Sequence, residues 1–164
     1  GEGANYLFSD NDAFLFQMLP ESIGPWYCED AEIDENGNIT GLILKKSIFT
    51  IKMKVEFMED VEYPIFAFTV KNVRGAEVTG TNTMFERLEV PLARTGEIYV
   101  VTFQQKALLQ GGEYLLSFGC TGYENAEFTA YDRLYDVVNL TIVSEQDTVG
   151  VFDMDSHVEI EKIR

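Results

Sequence analysis

The chain has almost no histidine or cysteine: His157 is the only histidine, and Cys28 and Cys120 are the only cysteines. A single histidine gives little support to a histidine-based catalytic triad or a two-histidine metal site, and no Gly-x-Ser-x-Gly motif is present. Because neither cysteine belongs to a Cys-x-x-Cys pair, the sequence predicts no structural zinc site and two free thiols. One disulfide in a secreted protein is the alternative.

Two further motifs are missing. There is no Gly-x4-Gly-Lys-Ser/Thr loop, so this stretch of chain does not bind ATP in the P-loop manner. No apolar run approaches the roughly 20 residues of a membrane span. The first four residues, Gly1 to Ala4, lack methionine, basic charge and an apolar stretch, and we interpret them as a fragment boundary and not as a signal peptide.

Positive charge is absent from the first quarter of the chain. Nine acidic residues and no Lys or Arg precede Lys45, and the net charge of the whole sequence is −16. Such a field repels phosphate backbones, so it argues against nucleic-acid binding. Solubility explains the acidity; repulsion of an anionic membrane surface or attraction of a basic partner is the alternative.

What the sequence does contain is enough apolar material for one core. Its 164 residues suit a single domain, of which 46% are hydrophobic and 13% aromatic. A chain of this length buries about 68–70% of its unfolded surface on folding. The sequence therefore predicts a domain that needs no cofactor, metal or disulfide to fold.

Alternating strands dominate the middle of the chain. Apolar residues occupy every second position from Ile51 to Phe57, which is typical of a strand with one buried face. Pro64 introduces a second strand in which Phe66, Phe68 and Val70 share a face. Residues 72–75 form a turn, after which an extended run resumes. We expect the strands over 51–57 and 64–71 to pair as neighbours.

Further strand signals follow at residues 98–104, 113–120 and 137–143, and Asn36-Gly37 predicts a hairpin. We therefore predict an all-β, two-sheet antiparallel β-sandwich over residues 24–164, immunoglobulin-like or jelly-roll-like. Its predicted core is Phe66, Phe68, Tyr114, Leu116, Phe118, Leu140 and Ile142. Residues 1–23 are expected to be an extension or linker from an upstream domain, with a short helix over residues 13–19 that follows a capping sequence.

The order of these elements resembles a known family. Three consecutive motifs are similar to the Wzt C-terminal domain: Tyr63-Pro64, Phe66-x-Phe68-x-Val70 and Asn72-x-x-Gly75-x-x-Val78-x-Gly80-x-Asn82-Thr83. That domain lies at the C-terminus of the ATP-binding subunit of polysaccharide ABC exporters. Residues 108–114 and 131–160 carry further matching landmarks, so the resemblance covers residues 24–163.

This resemblance implies a noncatalytic glycan-binding domain of an O-antigen (lipopolysaccharide) type exporter, located in the cytoplasm at the inner face of the membrane. It would recognise the polysaccharide, at its chain terminus, for export. The implied partners are an upstream ATPase domain, the transporter's membrane subunit and a second copy in a homodimer. A secreted carbohydrate-binding module or lectin, a pure dimerisation domain and, least favoured, a hydrolase using a pair such as Asp132 and Asp136 remain alternatives.

Sugar rings stack on aromatic side chains and their hydroxyls bond to amides, carboxylates and guanidinium groups. We expect a long loop from Thr121 to Asp136, because polar and aromatic residues are mixed there, and long loops are often functional. The candidate glycan-binding residues in it are Tyr123, Tyr131, Asp132 and Arg133; Tyr99 and Gln104 form a second group on one strand. A core role for Tyr131 and Tyr99 is the alternative.

The last segment, residues 149–163, is predicted to be extended. Val158 and Ile160 alternate with His157 and Glu159, so one apolar face requires a sheet to join. The family resemblance implies that this strand is exchanged between the protomers of a dimer. Folding back on its own sandwich is the alternative.

Overall fold

The computed structural model describes Gly24–Pro25, Glu32–Ile33 and residues 39–164. The described residues form eleven strands: β1 (Gly24–Pro25), β2 (Glu32–Ile33), β3 (Ile39–Leu44), β4 (Ile48–Glu56), β5 (Val61–Glu62), β6 (Ile65–Asn72), β7 (Glu77–Asn82), β8 (Leu92–Ala93), β9 (Ile98–Lys106), β10 (Gly112–Glu124) and β11 (Glu127–Val143). Over these ranges the chain contains no helix that could cross a membrane.

The strands form two facing sheets and a small third one. One sheet has six strands in the order β2-β3-β11-β10-β6-β7, and the other has three in the order β1-β4-β9. The short strands β5 and β8 pair separately. Neighbours are antiparallel apart from β3 and β11, which run parallel. The prediction of an all-β sandwich is confirmed.

The core lies between the six-stranded and the three-stranded sheet. All seven residues predicted for it are buried: Phe66, Phe68, Tyr114, Leu116, Phe118, Leu140 and Ile142. Ile51, Met53 and Val55 of β4 face them and are fully buried. The rings of Phe68 on β6 and Phe103 on β9 meet edge to face across the two sheets, with centroids 4.9 Å apart.

The expectation that β4 and β6 pair as neighbours is wrong. β4 bonds to β9 in the three-stranded sheet, whereas β6 bonds to β10 and β7 in the six-stranded sheet. The connection between them crosses from one sheet to the other and carries β5 on its way. Alternation shows that each strand has a buried face, but two strands with buried faces can pack face to face as well as pair side by side.

The long loop expected from Thr121 to Asp136 is also wrong. These residues belong to β10 and β11, which form a hairpin joined by Asn125 and Ala126 alone. Both turn residues have positive φ, 53° and 66°. That conformation normally favours Asn-Gly, so Asn-Ala gave a weak turn signal.

Two bulges in this hairpin decide which side chains face outward. Asp136 has a positive φ of 54°, and its amide donates to Ser117 Oγ at 2.9 Å on the opposite strand. The second bulge lies at Tyr131, where β11 has one more residue than the facing stretch of β10. Because of that extra residue, Tyr131 enters the core while Arg133 remains on the outer face.

Several sequence predictions fall outside the described residues: the extension over 1–23 with its helix, the free thiol of Cys28 and the Asn36-Gly37 turn. The strands that flank this turn do pair antiparallel, with Ile33 opposite Ile39. The segment over 149–163 forms no strand; its one β-bridge joins Phe152 to Leu109. Residues 151–153 are bonded to the sandwich, whereas Val158 and Ile160 are 78% and 94% exposed, so the end of the segment does not fold back on its own sandwich.

Candidate functional site

A groove runs across the outer face of the six-stranded sheet, on the side away from the core. One row of residues crosses it on four adjacent strands: Asn82 on β7, Ala67 on β6, Gly119 on β10 and Arg133 on β11. These residues face outward because Phe66, Phe68 and Phe118 beside them face the core. Asn82 therefore lies on one side and Arg133 on the other side of a floor formed by Ala67 and Gly119.

The small floor residues make the groove concave. It encloses about 260 Å³ and is also lined by Thr69, Ser117 and Thr121. A Cβ placed on Gly119 would lie 3.6 Å from Arg133 Cγ, which is ordinary contact with the protein. A larger side chain at this position would therefore occupy the groove without a clash with the backbone.

Three exposed aromatic rings lie along the groove. Tyr135 and Phe128 line it and are 60% and 55% exposed. Tyr123 is paired with Phe128 across the hairpin, and the two rings meet edge to face with centroids 5.6 Å apart. Aromatic rings left in water beside a groove offer faces on which an apolar ring surface can stack.

Charged groups hold Tyr135 in place. Lys71 Nζ lies over the Tyr135 ring, 5.2 Å from its centroid, and 3.6 Å from Asp136 Oδ1. Asp136 also accepts a hydrogen bond from Ser117 Oγ at 3.3 Å. These contacts link β6, β10 and β11 at one end of the groove, so the ring is oriented before any ligand arrives.

The far side of the groove is shaped by the turn after β7. Asn82 Oδ1 accepts a hydrogen bond from the Phe85 amide at 2.7 Å, and the Thr83 hydroxyl accepts one from the buried Phe66 amide at 3.0 Å. This fixes Met84 at the groove wall, where its side chain lines the cavity. The side-chain oxygen of Asn82 therefore caps the turn, and the residue also lines the groove.

The structure brings two of the six predicted site residues to this groove. Arg133 lines the groove, and Tyr123 contacts the ring of Phe128, which lines it. Tyr131 is 6% exposed and belongs to the core, so it cannot stack on a sugar from there. Asp132 does not line the groove; its carboxylate accepts a hydrogen bond from the Arg133 amide.

Tyr99 and Gln104, the second predicted group, lie elsewhere. Tyr99 packs edge to face on Phe57 with centroids 5.6 Å apart, and its hydroxyl donates to Glu97. Gln104 is exposed on β9 and lines a different, larger opening. The two therefore do not act together with Arg133.

Residues that were not predicted for the site include Phe128, Asn82 and Lys71. A signal was present in β6, where Ala67, Thr69 and Lys71 alternate with the buried Phe66, Phe68 and Val70. Since one face of that strand is core, its small and polar positions identify the open face. The bulges in β11 hid the corresponding pattern on that strand.

A second cavity of about 700 Å³ opens between the two sheets, along the edges formed by β7 and β9. Core side chains form its walls: Phe49, Phe68, Val70, Phe103, Leu140 and Ile142. At its mouth lie Val78, Val101 and Phe152. We call this cavity the inter-sheet opening. It lies beside the outer edge of β9, with which no strand pairs in the described part of the chain.

Reactive and metal-ligating groups do not gather at either cavity. Burial, together with the charge of Asp132, raises the pKa of the Cys120 thiol, so the sulfur stays protonated and inert at neutral pH. Over residues 39–164 no three His, Cys, Asp or Glu side chains cluster closely enough to hold a metal ion. The features that remain are stacking surfaces and hydrogen-bonding groups.

The described residues form a β-sandwich whose six-stranded sheet packs one face on the core and carries a polar and aromatic groove on the other. Residues 29–154 match the family described as the Wzt C-terminal domain. The chain belongs to that family.

One similar solved structure agrees with this assignment. The crystal structure of the C-terminal domain of wzt is 28% identical, with 73% of each chain covered and a TM-score of 0.67. A CARDB domain from Pyrococcus furiosus, solved with di-metal ions, is 13% identical over 62% of this chain and 79% of its own, with a TM-score of 0.38. A Niemann-Pick type C2 protein from the Japanese carpenter ant is 14% identical over 79% of this chain and 100% of its own, with a TM-score of 0.45. A search of curated proteins gave no significant match.

Proposed function

We propose that this chain is a noncatalytic glycan-binding domain that holds a polysaccharide in the groove across β7, β6, β10 and β11. The observation that carries this proposal is the groove itself, in which Asn82 and Arg133 flank a floor of small residues and exposed rings stand beside it. The family is associated with the carbohydrate-binding part of polysaccharide ABC exporters. Both lines of support lead to the same class of ligand.

The chemistry of the groove suits a sugar. The C–H face of a pyranose can lie on Tyr135 or Phe128, while its hydroxyls bond to Arg133 or Thr69. The carboxylate near the groove, Asp136, pairs with Lys71 and accepts a hydrogen bond from Ser117. These contacts suit a role in orienting neighbouring side chains better than a role in proton transfer. We therefore assign the groove to recognition without catalysis.

The proposed biological role is recognition of a cytoplasmic polysaccharide, at its chain terminus, for an exporter of the O-antigen type. A groove of about 260 Å³ accommodates a short stretch of sugar and not a long chain, which supports recognition of an end. The ATPase domain and the membrane subunit of the transporter are the proposed partners at the inner face of the membrane.

We further propose a homodimer. Residues 156–164, here called the arm, carry Val158 and Ile160 exposed to solvent, while the apolar inter-sheet opening and the free edge of β9 lack a covering strand in the described part of the chain. The arm of a second copy supplies both an apolar face and backbone pairing. Light scattering that gives a monomer at high micromolar concentration would contradict the dimer.

Calorimetric titration with the producing organism's own polysaccharide tests the groove. Aromatic contacts contribute about 0.5–1.5 kcal/mol, so Tyr135→Ala should weaken binding by roughly 2- to 10-fold, and Gly119→Val should weaken it by filling the floor. Tyr63→Ala is the matched control, because Tyr63 is comparably exposed but lies outside the groove. Equal affinities for the Tyr135, Gly119 and Tyr63 variants would remove the groove from the binding site.

A further inference from the structure

A lysine is buried near the end of the sandwich. The Lys45 side chain is 5% exposed, and its ammonium lies 2.9 Å from Asp153 Oδ2 and 3.5 Å from Asp147 Oδ1. It also donates to Gln110 Oε1 and to the carbonyl oxygen of Gln146, both at 2.9 Å. We call Lys45, Gln110, Asp147 and Asp153 the clasp. Every proton of the ammonium has an acceptor, so the buried charge is fully compensated.

The clasp joins three separate parts of the chain. Lys45 lies in the turn between β3 and β4, Gln110 between β9 and β10, and the two aspartates after β11. Gln110 Oε1 also accepts from the Thr148 amide, and Asp147 Oδ1 accepts from the Gly111 amide at 2.9 Å. Lys45 and Gln110 together therefore hold the segment over 146–153 against the rest of the domain.

Backbone contacts continue this attachment. The Asp153 amide donates to the Leu108 carbonyl at 2.6 Å, and the Gln110 amide donates to the Val151 carbonyl at 3.2 Å. Between these two bonds, Phe152 lies opposite Leu109 and lines the inter-sheet opening. The held segment thus forms one end wall of the opening.

The arm begins where this attachment stops. Asp155 has a positive φ of 56° and pairs with Lys46 at 3.0 Å and with Lys106 at 3.6 Å. Lys106 is the last residue of the edge strand β9. The chain therefore leaves the domain at the end of both the free edge of β9 and the inter-sheet opening.

We propose that Lys45 is a positioning residue for assembly: the clasp fixes the base of the arm at the end of the inter-sheet opening so that the arm is delivered to the second copy. This inference rests on the proposed dimer. An arm whose base is held pays less ordering entropy when it pairs with a partner than one that is attached through a mobile tether. The ion pair is buried, so it does this at physiological salt concentration, where exposed pairs are screened.

Removal of the lysine should release the base. In Lys45→Met the apolar stem is kept, but Asp153 is left beside the domain without its cation, and a buried carboxylate in that situation moves to water. Its segment then separates from Leu108 and Gln110, and the arm loses its fixed starting point. The groove is built from other residues and should keep its affinity for glycan.

Analytical ultracentrifugation on the full chain tests this, with hydrogen exchange as the second measurement. Lys45→Met should raise the dissociation constant of the dimer by at least about tenfold and remove the protection of the Asp153 amide. Lys54→Met is the matched control: it removes the same charge from β4 and should change the constant by less than about twofold. Val158→Asp should also weaken the dimer, whereas His157→Asp on the opposite face should not.

The outcomes separate the two proposals. A dimer that is equally tight in Lys45→Met and Lys54→Met would overturn the role of the clasp and leave the dimer intact. A monomeric wild-type chain would overturn the dimer and with it the assembly role of Lys45. If Lys45→Met fails to fold, Asp153→Asn provides the same comparison, because it keeps the size of the side chain and removes one charge of the pair.

Discussion

Phe68 provides the sharpest test of how the faces of the six-stranded sheet are assigned. It points into the core from β6, 6% exposed, while the next residue, Thr69, lines the outer groove. Phe68→Ala should lower the free energy of unfolding by about 3–5 kcal/mol, because a large apolar side chain is lost and a cavity remains. Thr69→Ala, one residue away on the other face, should change it by less than about 0.5 kcal/mol.

The packing around Phe68 indicates where in the range of about 3–5 kcal/mol the loss of unfolding free energy should lie. The Phe68 ring contacts Phe103 across the two sheets, but it also borders the inter-sheet opening, so part of its surroundings is already empty. Its truncation enlarges an existing space more than it creates a new one, and we expect a value near the lower end, about 3 kcal/mol. For a domain of this size that corresponds to a fall in Tm of roughly 6–12 °C.

Urea unfolding followed by circular dichroism gives the two free energies at one protein concentration. The concentration must be fixed because a dimer makes apparent stability depend on it. A loss below about 1 kcal/mol for Phe68→Ala, or an equal loss for Thr69→Ala, would refute the assignment of the two faces.

Two further predictions follow from local geometry and charge. Gly80→Ala should destabilise the domain by about 1–3 kcal/mol in the same assay, since its Cβ would lie 2.7 Å from the Phe68 carbonyl oxygen, whereas Gly119→Ala should be nearly neutral. A hydrogen bond from Lys45 holds the pKa of Asp153 below its ordinary value of 3.8, and a hydrogen bond from Lys46 does the same for the pKa of Asp155. The pKa of Asp147 is lowered mainly by a hydrogen bond from the Gly111 amide. Because the folded pKa lies below the unfolded one, this stabilisation is present above the unfolded pKa and is lost as the pH falls through the folded pKa. The protection factor of the Asp153 amide, which corrects for the intrinsic exchange rate at each pH, should therefore hold from neutral pH down to about pH 4 and decrease below it. Unchanged protection at pH 2 would contradict this.

The sequence predicted the sandwich and its core because these depend on alternation, which each strand shows locally. Phe66, Phe68 and Val70 needed only their own spacing to be assigned to a buried face. The partner of each strand depends on the path of the connection. Residues 57–64 cross between the sheets, and their composition does not distinguish a crossing from a hairpin.

The site was predicted less well, since its geometry depends on bulges. One additional residue at Tyr131 reverses the alternation of β11, so that Tyr131 lies in the core while Phe128 and Arg133 share the groove, and Asp136 adds a second irregularity. A bulge leaves little mark on composition, and the mixture of polar and aromatic residues suggested a loop. The clasp was missed for a related reason: Lys45, Gln110 and Asp153 are far apart in sequence and are brought together by the fold alone.

The uncovered edge of β9 limits the size of the proposed assembly. A free edge strand accepts any extended segment, and a chain that gives its arm forward to a third copy would build an open polymer. When two copies exchange arms reciprocally, each arm covers the β9 edge of its partner. The assembly then has twofold point symmetry and no β9 edge left to accept the arm of a third copy, so exchange through this edge stops at two.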